Sequence, residues 1–87
     1  MPHYQVLVTP RAQKDLKKID RFQVKRLDAV LLKLENMPYP PGVKRLIAEN
    51  VAQYRVRVGD YRILFDVDEK NKKVLILRVG HRKDIYR

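Results

Sequence analysis

Three arginines, Arg55, Arg57 and Arg62, stand where a β-hairpin would bring them onto one face. The runs Tyr54–Val58 and Tyr61–Val67 alternate at a period of two, and Gly59-Asp60 between them suits a two-residue type II′ turn with glycine first. That register pairs Val58 with Tyr61, Arg57 with Arg62, and Val56 with Ile63, with Arg55 diagonal to Arg62. Like charges directly opposite each other destabilise a sheet. Guanidinium groups grip phosphate oxygens in bidentate fashion and never give up their proton in a protein. A cluster of this kind therefore stabilises negative charge and cannot serve as a base. The plain alternative is three exposed strand residues whose long stems splay apart into water.

The end of the chain offers a second group: His81, Arg82, Lys83 and Tyr86. If the last strand lies beside the hairpin, this segment can fold back towards the arginines. His81 is the residue type best suited to proton transfer near neutral pH. It adjoins Arg82, however, and adjacent residues of an extended segment point to opposite sides. A free tyrosine titrates near ~10, and neighbouring guanidiniums would favour its phenolate. Tyr86 could thus act as a base, orient a hydroxyl, or simply pack. His3 stands apart from these groups. No His, Cys or carboxylate set has metal-ligand spacing, so neither a metal nor another cofactor is expected. Asp66, Asp68 and Glu69 read as solubilising residues beside a turn.

The positioning elements can be read from the same chain. Tyr4–Val8 reads as a strand. Thr9-Pro10 supplies an N-cap and a proline at the first helical position, and Ala12, Leu16 and Ile19 form the apolar stripe of a short helix. Asp20 and Gln23 form a second capping signal, and Leu27, Val30, Leu31 and Leu34 mark a helix over residues 21–36. Lys14, Lys17, Lys18, Lys25, Arg26 and Lys33 fall mainly off these stripes, as solvated faces do. Met37-Pro38-Tyr39-Pro40-Pro41-Gly42 ends the helix in a loop. After the hairpin comes a turn at Asp68–Lys72, and Val74–Val79 is apolar on both faces except for Arg78. Strand, helical hairpin, then antiparallel sheet predicts a single α+β domain over residues 1–87, with the helices on one sheet face.

Composition sets the partner class. The chain has 87 residues, with 20 Lys and Arg against 10 Asp and Glu, for a net charge of +10. The excess is spread evenly, eight basic against four acidic residues in 1–40 and twelve against six in 41–87. Such a field draws polyanions, nucleic acid foremost, and would also suit an acidic protein. The absence of cysteine fits a cytosolic, reducing setting. No apolar run approaches the ~20 residues that span a bilayer, and Met1-Pro2-His3 does not open like a signal peptide. Exposed aromatic pairs for base stacking are missing from the pattern, which argues against a non-catalytic RNA-binding module.

Taken together, Tyr54-Arg55-Val56-Arg57-Val58-Gly59-Asp60-Tyr61-Arg62-Ile63-Leu64-Phe65, followed by Val79-Gly80-His81-Arg82-Lys83-Asp84-Ile85-Tyr86, resembles the RelE branch of the RelE/ParE toxin superfamily. The resemblance extends over essentially the whole chain, including the opening strand, the helical hairpin and Lys44-Arg45-Leu46. It implies the RelE-like microbial ribonuclease fold and a metal-independent endoribonuclease toxin that cleaves messenger RNA in the ribosomal A site. The ribose 2′-hydroxyl would attack the scissile phosphate. A RelB-like antitoxin would neutralise the toxin, with a toxin–antitoxin heterotetramer expected and no membrane partner. By this resemblance Arg62, Arg82 and Tyr86 are the catalytic candidates and Arg55 and Arg57 phosphate-binding ones, and Lys83 and His81, beside Arg82, join the phosphate-binding group by position. Where the best-known member has two lysines before the turn, this chain has Arg55 and Arg57, which keeps the charge but removes proton transfer there. The alternative on the same fold is a ParE-type toxin that inhibits DNA gyrase; that branch usually lacks the terminal arginine and tyrosine matched by Arg82 and Tyr86. An inactive relic retained as a repressor partner is a third possibility.

Overall fold

Thr9 shows how the chain begins to fold. Its hydroxyl accepts the Ala12 N–H at 3.3 Å, which starts a helix, and donates to the Ile76 carbonyl at 2.8 Å, which ties that start to a distant strand. In the computed structural model, which describes residues 3–47 and 51–85, five strands and two helices follow in the order β1 (Gln5–Val8), α1 (Pro10–Lys17), α2 (Arg21–Asn36), β2 (Val43–Arg45), β3 (Tyr54–Val58), β4 (Tyr61–Asp68) and β5 (Lys73–His81). Asp20 caps α2 by accepting the Gln23 N–H at 3.1 Å. The second helix has the bounds the sequence predicts, 21–36, whereas the first ends at Lys17, short of Ile19, the last member of its predicted stripe.

The strands form one sheet in the order β1-β5-β4-β3-β2. The hairpin, β4·β5 and β2·β3 pairs are antiparallel, whereas β1 joins β5 in parallel, so the sheet is mixed. Strand β2 is an addition to the expected set, formed where Lys44-Arg45 approaches the sheet. Both helices lie on one face. Their buried Ala12, Leu27, Leu31 and Leu34 pack with Val56, Val58, Ile63, Phe65, Val67, Val74, Ile76 and Val79 of the sheet. Each of the larger side chains, fully buried, contributes roughly 1.5–3 kcal/mol. Among the described residues no helix is long and apolar enough to cross a membrane.

Strand β5 changes its facing partway. Leu64 pairs with Arg78 but Phe65 pairs with Ile76, so Leu77 is an extra residue, a β-bulge. Because side chains alternate, one extra residue swaps the faces of everything beyond it. Without the bulge Arg78 would enter the core and Val79 would leave it. With it, Ile76 and Val79 are both core residues, at 0% and 2% exposure.

The three acidic residues at the far end of the sheet do more than solubilise. Asp66 accepts the Gln53 N–H at 2.7 Å, and Asp68 accepts the Asn71 N–H at 3.1 Å in the β4–β5 turn. Glu69 accepts from the Tyr39 hydroxyl and from the Tyr4 hydroxyl, and pairs with Lys72 at 3.3 Å. The Tyr39 and then the Tyr4 hydroxyl hold the Glu69 carboxyl below its ordinary value. A carboxyl whose folded value is depressed adds stability above its unfolded value, near ~4.3, and that stability is lost as pH falls through the folded value. Wild type should therefore lose thermal stability on the acid side more steeply than Glu69→Gln. Superimposable melting-temperature profiles from pH 2 to 6 would refute this.

Candidate anion-binding face

The hairpin register appears in the structure as the sequence predicts it. Val58 pairs with Tyr61, Arg57 with Arg62 and Val56 with Ile63. Gly59 has φ +61° and Asp60 does not share the positive φ, which is the type II′ pattern. Arg62 pairs onward with Gly80, so Arg57, Arg62 and Gly80 form one row across the sheet, on the face away from the helices. Lys44, Arg55, Leu64 and Arg78 form the next row. Directly opposed side chains start from Cβ atoms roughly 5 Å apart, close enough for the Arg57 and Arg62 guanidiniums to reach one phosphate. Arg57 is exposed, and Arg55 and Arg62 are half-buried. The Arg62 guanidinium donates to the Tyr61 and Gly59 carbonyls at 3.0 and 3.3 Å, which anchors it to the turn.

This face is not the open surface that alternation predicts. Leu64 and Ile85 are buried on it together with Ala52, and Leu46 and Leu77 pack against them. Leu46, Ala52 and the turn after β5 supply this second, smaller core. A signal for it was present: Leu64 sits among polar residues in the alternation, and Leu46 and Ala52 are apolar with no strand to belong to.

The chain's end comes to the same face. The Ile85 side chain lies over Gly80, where a Cβ would meet its Cδ1 at 3.1 Å. Backbone bonds from Asp84 and Ile85 N–H to the His81 carbonyl close a tight turn. The Arg82 N–H donates to the Asp60 carbonyl at 2.8 Å, which fastens Arg82 to the tip of the arginine hairpin. The side chains of Arg82 and Lys83 are exposed. Tyr86 lies outside the described residues.

His81 is set apart from the others. It pairs with Tyr61, a residue packed against the helix-side core, and the two rings meet edge to face at 5.7 Å. Its Nδ1 accepts the Lys83 N–H at 3.2 Å. The imidazole lines a cleft of about 410 Å³ with Asp15 of α1, with Lys18 and Ile19 just beyond that helix, and with Asp84 and Ile85 of the C-terminal turn. The structure thus brings together Arg55, Arg57, Arg62 and the Arg82–Ile85 turn, with His81 in the row of Tyr61 and its ring beside that turn. Among the described residues no group of three or more His, Asp or Glu is arranged to hold a metal ion.

Sequence reasoning passed over Asp15. Its carboxylate accepts from Arg78 Nε at 2.9 Å and from the Val79 N–H at 3.0 Å. Only its spacing of four from Arg11 marks it in the sequence, and that pair is loose at 4.0 Å.

Comparison with known proteins gives consistent matches. A family model described as the ParE toxin of type II toxin–antitoxin systems (parDE) matches residues 6–86. The toxin RelG of Mycobacterium tuberculosis is 36% identical over 85 residues, covering 97% of each chain. A chain in the toxin–antitoxin complex RelBE2 from the same organism superposes with a TM-score of 0.81 at 31% identity, over 94% of this chain and 100% of that one. A chain in the archaeal RelE–RelB complex from Pyrococcus horikoshii superposes with a TM-score of 0.80 at 28% identity, over 94% and 98% of the two chains.

Proposed function

The chain belongs to the RelE/ParE toxin family of type II toxin–antitoxin systems, and from that premise we propose that it is a ribosome-dependent endoribonuclease held inactive by a RelB-like antitoxin. The observation that carries this reading is the opposed pair Arg57 and Arg62, with the backbone of Arg82 fastened to Asp60 at the same hairpin tip. Opposed arginines cost stability in the free protein. A phosphate lying between them would turn that repulsion into binding.

In the proposed reaction the 2′-hydroxyl of a message nucleotide attacks the adjacent phosphorus. The bond to the 5′-oxygen breaks, leaving a 2′,3′-cyclic phosphate and a free 5′-hydroxyl. Arg55, Arg57 and Arg62 carry the added charge on the phosphate oxygens, and Lys83 steers the flanking backbone. Arg82 stabilises the departing oxygen, which takes its proton from water. None of these arginines can take the hydroxyl proton, so a base is needed. That role is assigned to Tyr86, which matches the family's terminal tyrosine, in preference to His81, whose ring packs edge-on against Tyr61. Metal independence follows from this division of roles, because the guanidiniums supply the positive charge.

The family model carries the ParE name while the relatives are RelE-type, so the assay must discriminate between the two activities. Purified protein added to programmed ribosomes should yield cut message ending in a cyclic phosphate. Intact message together with gyrase-dependent double-strand DNA breaks would overturn the reading. The clamp makes a separate prediction. Arg62→Ala should weaken binding to RNA and flatten its salt dependence by about 0.7 log unit per lost phosphate contact. An unchanged slope would remove Arg62 from the clamp.

A further inference from the structure

We infer that Asp15 is a positioning residue for Arg82, acting through the bulged end of β5. This rests on the proposed nuclease reading and adds a residue from the helical layer to it. Strand β1 ends at Val8, opposite Ile76. Beyond that point β5 has no strand on its outer side, and its backbone groups there need other partners. Helix α1 fills the gap. The Asp15 carboxylate, whose side chain is only 11% exposed, takes the Val79 N–H and the Arg78 Nε together.

These two residues come directly after the Leu77 bulge, the point at which β5 swaps faces. Were the bulge lost, the strand would run on in simple register, which would return Arg78 to the core side and turn Gly80 away from Arg62. The two bonds to Asp15 hold Arg78 outside and Val79 inside. Three residues beyond Val79 lies Arg82, whose N–H meets Asp60. A fixed β5 end therefore presents Arg82 beside the hairpin arginines, and Asp15 does so without touching the substrate itself.

The test compares Asp15→Ala and Asp15→Asn with wild type, reading message cleavage on ribosomes and hydrogen exchange at the Val79 amide. Asparagine keeps an oxygen that can accept the Val79 N–H; alanine does not. Asp15→Ala is expected to speed Val79 exchange and to lower kcat tenfold or more. KM should stay within about twofold, because the clamp residues lie on β3 and β4. Asp15→Asn is expected to keep Val79 protected and to restore most of kcat. A folded variant that cleaves at the wild-type kcat with Val79 exchanging freely would overturn the inference. So would one that loses kcat with Val79 still protected. If Asp15→Ala does not fold, Asp15→Asn alone applies the same criterion. A wild-type protein that fails to cleave message would sink the nuclease reading instead, and Val79 exchange in the variants would still report whether Asp15 fixes the strand.

Discussion

Arg82→Ala is expected to abolish message cleavage, by about 100-fold or more, while the protein stays folded and still binds its antitoxin. Removing one preorganised donor to developing charge typically costs that much. The fold should tolerate the change because the Arg82 side chain is exposed and its contribution to the structure is the backbone N–H bonded to Asp60, which alanine retains. Tyr86→Phe should have a comparable effect if the phenol takes the 2′-hydroxyl proton, since general bases contribute roughly 10²- to 10⁴-fold. Single-turnover cleavage on programmed ribosomes reads both. Full growth arrest by both variants would end the case for a nuclease.

The second large effect is expected at a residue that does no chemistry. Ile85 is 1% exposed, yet it belongs to the small cluster with Ala52 and Leu64 and not to the main core. Ile85→Ala removes the side chain that seats the C-terminal turn over Gly80. Small clusters open locally at a fraction of the global unfolding free energy. Cleavage should therefore fall at least tenfold, with a melting temperature lowered by only a few degrees. Leu34→Ala, in the main core, is the contrast. There a cavity costs about 2–5 kcal/mol, at about 4–8 °C per kcal/mol in a domain this size, while the protein that remains folded should cleave normally. Equal melting-temperature losses in the two variants, or normal cleavage by Ile85→Ala, would mean the turn is not held in this way.

Both predictions depend on how the sheet's far face is built, and that was only partly legible. The arginine register could be read directly, because a two-residue turn with glycine first leaves one way to pair the flanking strands. The covering of that face was misjudged. Alternation treats a strand in isolation, and it could not anticipate that Leu64 would be buried by segments 12 and 21 residues away, at Ala52 and Ile85. His81 adjoins Arg82 in sequence, but its facing follows from its pairing with Tyr61 in the sheet.

Local signals alone determined the helix starts, the hairpin turn, the opposed arginines and the cationic field. Thr9-Pro10, Asp20 and Gly59-Asp60 each act through bonds and torsions within a few residues, so no distant contact was needed to read them. Tertiary structure decided the rest: the parallel pairing of β1 with β5, the bulge at Leu77, and the carboxylate of Asp15 on an N–H 64 residues away. A bulge settles where the core needs Val79 inward and where an exposed strand end finds a partner. Both conditions exist only once the helices have packed on the sheet.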